Sequence, residues 1–381
     1  RRERGPGGEG HPTPQKKLRV AVLFGGRSGE HTVSVISGRS VLRFLDRDRF
    51  EVIPVAITRS GAWLTPRETE AALARIKHEQ FATIETEGEG LLARPELLRL
   101  LQDVDVVFPM LHGYQGEDGT IQGLLELAGV PYVGAGVTGS AIGMDKTVQK
   151  ALWMQAGLPV VDHVAVLRSE VEEDPRAVAR RIEEAFGYPC FVKPSNGGSS
   201  VGVSKVRSRE DLADALTEAG RWDRKILVER FMSAREIDCA VLGNDDPRCA
   251  PLGEVIPTRE FYDFMAKYDD TAGTQLIAPA SVSEELTRRI HAIAIAAYKA
   301  VDCAGLARVD FFLTMDGEPV LNEINTIPGF TNMSMYPRLW ELAGLSYPAL
   351  LTRLIEFGLE RHAQTRGAHL QANHGDTEAP R

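Results

Sequence analysis

The chain reads as an α/β protein of more than one domain, opening with a doubly wound, Rossmann-like unit. Three observations carry this reading. Leu18 to Phe24 is an apolar run that breaks into Gly25-Gly26-Arg27-Ser28-Gly29 and then a helical pattern from about Val33 to Leu45. Strand, glycine turn, helix is how doubly wound sheets begin. Asp105 to Met110 is almost continuously apolar, as parallel strands buried on both faces are. It runs into the polar, glycine-rich Leu111–Gly119 segment, and ligands bind at the carboxyl ends of such strands. The third observation lies far downstream, where Asp316-Gly317 separates two β-prone runs in the manner of a hairpin turn.

Composition narrows the class. At 381 residues the chain is long for one core and suggests two or three domains. Its 43% hydrophobic and 25% charged content suits a globular protein in water. A net charge of -9 argues against a nucleic-acid partner while leaving room for a local basic pocket. Cys190, Cys239, Cys249 and Cys303 include no C-x-x-C pair, which argues against a zinc site or a disulfide scaffold and for reduced thiols. With no apolar run of spanning length and no apolar signal segment, the expectation is a cytoplasmic chain without membrane insertion.

The elements follow in order. Residues 1–17 and 361–381 lack periodicity and read as disordered tails. Glu51 to Thr58 is a second strand, Gly119 to Gly129 a helix, and Pro131 to Gly134 a short strand. The character changes from Thr138. Ser140 to Ala156 reads as one helix ending at Gly157, Val161 to Leu167 as β, and Asp174 to Phe186 as a helix closed by Gly187. Tyr188 to Val206 reads as strand, glycine-serine loop, strand. Lys225–Glu229, Glu236–Val241 and Ala250–Val255 are further strands. Residues 258–279 are polar, aromatic-rich and aperiodic, and a loop of this length suits a lid. Glu284 to Val301 is an amphipathic helix, and Pro348 to Gly358 the last one.

The downstream hairpin carries the chemistry. A two-residue turn at Asp316-Gly317 sets Met315 opposite Glu318, Asp310 opposite Glu323 and Arg308 opposite Asn325. Side chains alternate across a strand, so these four polar residues share one face, and Val309, Phe311 and Leu313 point into the core. Facing carboxylates repel unless a cation lies between them. Carboxylates with an amide oxygen and no sulfur suit Mg²⁺ or Mn²⁺, whose shell is usually completed by water and nucleotide phosphates. The plain alternative is an exposed face on which Arg308 neutralises two ordinary acids.

The glycine-serine loop has its own alternatives. Its glycines allow backbone N–H groups close to phosphates, and Lys193 and Lys146 supply countercharge. It is not a Walker A loop, because no Gly-Lys-Ser/Thr leads into a helix. Gly198-Ser199-Ser200-Val201-Gly202 formally matches the G-x-S-x-G nucleophile elbow of hydrolases. The elbow needs a following helix and a downstream Asp then His, whereas Val201 to Val206 reads as a strand. The first glycine turn is a poor dinucleotide fingerprint, since Phe24 occupies the first glycine position.

Taken together, these motifs resemble the ATP-grasp ligases and, more narrowly, the D-alanine–D-alanine ligase family, from about Leu18 to Leu354. The markers are Gly25 to His31, Leu111-His112-Gly113, Met144-Asp145-Lys146, Lys193-Pro194 with Gly198 to Gly202, Phe261-Tyr262-Asp263 with Ala266-Lys267-Tyr268, Arg308-Val309-Asp310, Asn322 to Thr326, and Pro328-Gly329. The resemblance implies an N-terminal substrate-binding domain over 18–136. It further implies α+β domains over 137–229 and 230–360 that clasp ATP.

The resemblance also implies roles. Lys146, Lys193, Ser200 and Lys267 would contact ATP phosphates, Glu229 and Met232 adenine, and Glu236 ribose. Asp310, Glu323 and Asn325 would hold two Mg²⁺ or Mn²⁺ ions. Arg308 and the Gly329 amide would form the oxyanion site. Glu30 would hold the first D-alanine, with Ser199 and Tyr268 bonded to it across the closed lid. His112, Ser334 and Met335 would serve the substrate subsites. The implied reaction makes D-alanyl-D-alanine through an acyl phosphate for peptidoglycan synthesis, in a homodimer. Tyr268 implies D-alanine, not D-lactate, as acceptor; lactate- and serine-using ligases of the same family are the alternative. Thr32, Phe231 and Met335 depart from the family pattern and bear on the second subsite. A serine hydrolase and a non-catalytic ATP-binding regulator are the competing classes. A regulator has no need of the full Arg308, Asp310, Glu323 and Asn325 set.

Overall fold

A computed structural model describes residues 16–78, 82–256 and 275–374. Those residues form three sheets. The first is parallel, in the order β2-β1-β3, from β1 (Leu18–Gly25), β2 (Phe50–Ile57) and β3 (Val106–Met110). Ala21, Val22, Leu23 and Phe24 on the central strand are fully buried. Helix His31–Phe44 follows β1 directly, as the glycine turn implies. Pro131–Gly134 makes only an isolated bridge, Val107 with Tyr132, where a strand was expected.

The second sheet is antiparallel, in the order β4-β7-β5-β6, from β4 (His163–Leu167), β5 (Cys190–Pro194), β6 (Ser204–Val206) and β7 (Lys225–Arg230). The glycine-serine loop is thus the tip of the β5–β6 hairpin, and no helix follows it directly. The third sheet runs β11-β10-β8-β12-β13, with β9 paired to β8. Its strands are β8 (Ala234–Gly243), β9 (Arg248–Cys249), β10 (Gly253–Ile256), β11 (Gln275–Ile277), β12 (Gly305–Thr314) and β13 (Pro319–Asn325). Strand β11 lies within the segment expected to be lid, and residues 258–274 of that segment fall outside the described residues.

Two helices differ from expectation. The stretch 140–156 is two helices, Val137–Met144 and Lys146–Gln155, broken at Asp145. Asp145 leaves helical geometry, and its carboxylate caps the second helix by accepting from the Thr147 and Val148 N–H groups. Such a cap satisfies donors that the helix start leaves open. The final helix spans Tyr347–His374, past residue 360, so residues 361–374 are helical where composition suggested a tail. Arg361 explains part of this. Its guanidinium lies 4.2 Å from the centre of the Tyr132 ring and 3.7 Å from Glu126, tying the helix to the first domain.

The apolar clusters do not match the sheets one for one. One joins Val20, Phe24 and Phe108 of the first sheet to Ala240, Leu306, Phe330, Tyr336 and Leu350. A second takes Trp153 in beside Ile237, Val309, Phe311 and helix Glu284–Ala300. The antiparallel sheet β4-β7-β5-β6 has a cluster of its own, drawn from residues between Val164 and Val228.

Candidate active site

Strands β12 and β13 pair Asp310 with Glu323 and Arg308 with Asn325, as the sequence count places them. They arrive there by a different route. The turn is not a two-residue one: Thr314 pairs with Glu318, the Gly317 N–H donates to the Thr314 carbonyl at 3.0 Å, and Gly317 takes φ +85°. The tip is therefore Met315-Asp316-Gly317, and Met315 does not face Glu318. The pairing then slips between Asp310 and Phe311, leaving Asn322 as an extra residue on β13. One residue added at the tip and one at the bulge cancel, and the polar face keeps its phase.

Strand β8 adds a carboxylate that was not anticipated. Asp238 lies opposite Asp310 on the other side of β12 and is buried. Arg308 grips Asp310 with two bonds of 2.7 Å and stands 3.4 Å from Asp238. Burial raises the Asp310 carboxyl, Arg308 pulls it back and Asp238 raises it again, leaving it at about 7. Arg308, expected at the oxyanion, spends its fork on Asp310 here. Asn325 donates to Asp310 at 2.9 Å, so cation binding through its amide oxygen requires the amide to turn over. Lys146 Nζ lies 3.4 Å from Glu323 and donates to the Gly197 carbonyl at 2.7 Å, which links the hairpin to the glycine-serine loop. The donor set is all oxygen. Asn322 Oδ1, on the cleft wall, is enclosed without a hydrogen-bond partner. Both features fit a hard divalent ion.

A second ion-paired group lies beneath. Glu229 on β7 meets Lys150 at 2.8 Å and Lys193 at 2.5 Å, with Lys150 wholly buried. Burial alone would raise Glu229, but the two ammonium groups outweigh it and hold the carboxylate at about 2. Glu229, expected on adenine, is here the shared counterion of two lysines. Lys150 escaped sequence reading, although it sits four residues after Lys146 on one helix and thus on the same face. It also donates to the Asn322 carbonyl at 2.7 Å, clasping the bulge.

The opposite wall is built around Glu30, at the start of helix His31–Phe44. The Ser199 hydroxyl donates to Glu30 Oε1. Ser199 and Ser200 both hold positive φ, 50° and 59°, a backbone shape that L-residues seldom take outside functional loops. A Cβ on Gly198 would lie 2.5 Å from Glu30 Oε2, so a larger residue there would push the Glu30 carboxylate aside. His112 has both ring nitrogens occupied, Nδ1 by the Ile327 carbonyl at 2.9 Å and Nε2 by Ser37 Oγ at 3.0 Å. Burial lowers its pKa. It orients the wall in this form. Its neighbour Glu117 accepts from Gly113 N at 2.7 Å and Ile327 N at 3.0 Å. Burial, and then Glu30, push Glu117 up to about 8.

These walls enclose a cleft of about 230 Å³. It is lined by Glu30, His112, Lys146, Ser199, Glu236, Arg308, Asp310, Glu323, Asn325, Gly329, Ser334 and Met335, with Asp238 and Glu117 among them. Ser334 Oγ is held by Thr331, and Met335 is buried. Lys193, Ser200, Glu229 and Met232 are not on its wall. Lys267 and Tyr268 lie outside the described residues.

A three-stranded parallel sheet, a glycine-serine hairpin and an acidic antiparallel sheet face closing on one cleft define an ATP-grasp ligase. Residues 19–135 match the family model described as "D-ala D-ala ligase N-terminus", and residues 152–356 the one described as "D-ala D-ala ligase C-terminus". The chain belongs to the D-alanine–D-alanine ligase family. It is 47% identical to the D-alanine–D-alanine ligase of Geobacillus thermodenitrificans, over 91% of this chain and 97% of that one. It is 46% identical to that of Acetivibrio thermocellus, with the same coverage. Among solved structures, the D-alanine–D-alanine ligase of Coxiella burnetii superposes with a TM-score of 0.79 at 34% identity, covering 95% of this chain and 99% of that one. The VanG D-Ala:D-Ser ligase of Enterococcus faecalis superposes with 0.76 at 35% identity, covering 90% and 100%.

Proposed function

We propose that this chain joins two D-alanines into D-alanyl-D-alanine with ATP, through an acyl phosphate, for peptidoglycan precursor synthesis. The observation that supports it best is the single cleft with Glu30 and Ser199 on one wall and Lys146, Arg308, Asp310, Glu323 and Asn325 on the other. The first D-alanine's ammonium group suits Glu30. Its carboxylate oxygen attacks the γ-phosphorus and ADP leaves. The second D-alanine's amine, having lost a proton, attacks the acyl carbon; the tetrahedral intermediate collapses and expels phosphate. Lys146 and Lys193 offset charge on the transferring phosphoryl group, and Arg308 with the Gly329 amide steadies the oxyanion. Asp310, Glu323 and Asn325 would hold Mg²⁺ or Mn²⁺, two ions in this proposal, whose charge neutralises phosphate oxygens. Asp238 stands close enough to the same face to support that set.

Glu229 and Lys150 deepen the proposal. With its acid held ionised, Glu229 fixes Lys193 near the phosphates and keeps a compensated charge under the nucleotide. Adenine contact by Glu229 and Met232, ribose contact by Glu236, and the Lys267 and Tyr268 roles rest on the family resemblance. So do a homodimer and a cytoplasmic location; among the described residues no helix is long and apolar enough to cross a membrane.

The test is ATP-dependent phosphate release with D-alanine, D-serine and D-lactate, followed by mass spectrometry of the products. D-alanyl-D-alanine should dominate at neutral pH. Mainly D-alanyl-D-lactate or D-alanyl-D-serine from mixed acceptors would replace this proposal with the other specificity of the family. Fluorophosphonate labelling of Ser199 without ligation would point to the hydrolase.

A further inference from the structure

Behind the catalytic face, the third sheet carries a second group of ligand-type side chains. Cys239 follows Asp238 on β8 and so points to the opposite side, into the core beneath helix Glu284–Ala300. Cys249 lies on β9, which pairs with β8. His291 lies on the helix above. The two sulfur atoms and a ring nitrogen of His291 all fall within 4.8 Å of one another. Sequence spacing argues against a zinc site, since 239, 249 and 291 form no short motif. The fold brings them together nonetheless.

Two further observations bear on what this cluster does. His291 Nε2 is enclosed and has no hydrogen-bond partner, an expensive state for a buried nitrogen. In the tautomer that carries its proton on Nδ1, that unpartnered nitrogen keeps a lone pair for an ion. The burial is graded too: Cys239 is fully buried, while Cys249 and His291 are partly exposed, which leaves a way in from solvent.

We propose that Cys239, Cys249 and His291 bind a thiophilic d¹⁰ cation, Zn²⁺ in the first instance, with a water in the fourth position. Zn–S and Zn–N lengths of about 2.3 and 2.1 Å put tetrahedral donors roughly 3.5–3.8 Å apart, so closure takes about 1 Å of side-chain movement. Binding exchanges two S–H bonds for two S–Zn bonds and releases both protons to water; no electrons move. This donor set is soft where the Asp310 and Glu323 set is hard, so Mg²⁺ and Zn²⁺ sort between opposite faces of one sheet. The bound ion would tie β8, β9 and the helix together directly behind Asp238.

The experiment uses full-length protein, reduced, treated with chelator and kept in excess Mg²⁺ so that the hard site is filled. Zn²⁺ is titrated against a chromogenic chelator, and Co²⁺ and Cd²⁺ are followed by thiolate-to-metal absorption. One Zn²⁺ should bind per chain, with thiolate absorption and release of two protons. Cys249→Ser and His291→Ala should each weaken binding by more than about 10–100-fold, the range for losing only an outer-shell partner, because each removes a ligand itself. Equal Zn²⁺ affinity in wild type and Cys249→Ser, or wild-type binding without thiolate absorption, overturns the proposal. If a variant does not fold, alkylation of the wild type decides. Zn²⁺ but not Mg²⁺ should protect Cys249, and an unprotected Cys249 overturns it. Loss of both thiols in air without metal assigns a disulfide instead and equally overturns it.

Discussion

Ser199 donates its hydroxyl proton to the Glu30 carboxylate across 169 positions of chain, and this bond joins the tip of the central hairpin to the N-terminal helix of the first domain. The glycine-serine loop therefore docks on the Glu30 wall of the cleft as well as on Lys146. A hydrogen bond to a charged group contributes about 1.5–3 kcal/mol. Ser199→Ala should lower kcat/KM for D-alanine by roughly 10–100-fold, measured by phosphate release. Unchanged turnover would detach this loop from the substrate side.

The facing pair Asp310 and Glu323 yields the metal prediction. Glu323→Gln should abolish ligation and weaken Mg²⁺-dependent nucleotide binding, while nucleotide binding without metal changes little. Calorimetric titration of nucleotide at several Mg²⁺ concentrations separates the two. Near-normal turnover in Glu323→Gln would remove it from the metal set.

Glu229 yields a stability prediction with a sign. Its folded carboxyl lies at about 2, below the unfolded value of about 4.5. Its contribution is fully present above pH ~4.5 and is lost as pH falls through about 2. Glu229→Gln strands two buried ammonium groups and should cost about 3–5 kcal/mol near neutral pH. In urea melts, the gap between wild type and variant should narrow from pH ~4.5 downward. A gap that does not change with pH would break the link.

Glu117 carries the opposite sign. Burial and Glu30 raise its folded carboxyl to about 8, so the native state holds a proton that the unfolded chain gives up near 4.5. Stability from this group falls as pH rises between those values. Glu117→Gln should therefore gain on wild type as pH rises from about 5 to about 8, read again from denaturation midpoints. A variant that loses ground over that range would show that the N–H bonds from Gly113 and Ile327 outweigh burial.

The polar face of the β12–β13 hairpin was legible because alternation along a strand survives errors elsewhere. The count from a two-residue turn was wrong by one at the tip, and the bulge at Asn322 corrected it. Had the slip fallen between Asp310 and Arg308 instead, the face would have been scrambled. Lys150, Asp238 and Glu117 were not legible as members of the site. Each gains its role from a partner distant in sequence: Lys150 from Glu229, Asp238 from Arg308, Glu117 from the Ile327 amide. The break at Asp145 was hidden because apolar periodicity continues through it; only the cap and the Ser195 hydroxyl bonded to the same carboxylate reveal it.

The way the apolar clusters are shared has a consequence for how the chain comes apart. The first and third sheets contribute to one continuous core, whereas the sheet β4-β7-β5-β6 keeps a core to itself. Cooperativity follows shared packing, and separately packed regions open as separate units. Three sheets should therefore melt in two steps. The β4-β7-β5-β6 unit should exchange its amides as one block, while the first and third sheets hold or fail together. Motion during turnover has the same natural seam, with one small body swinging against one large one.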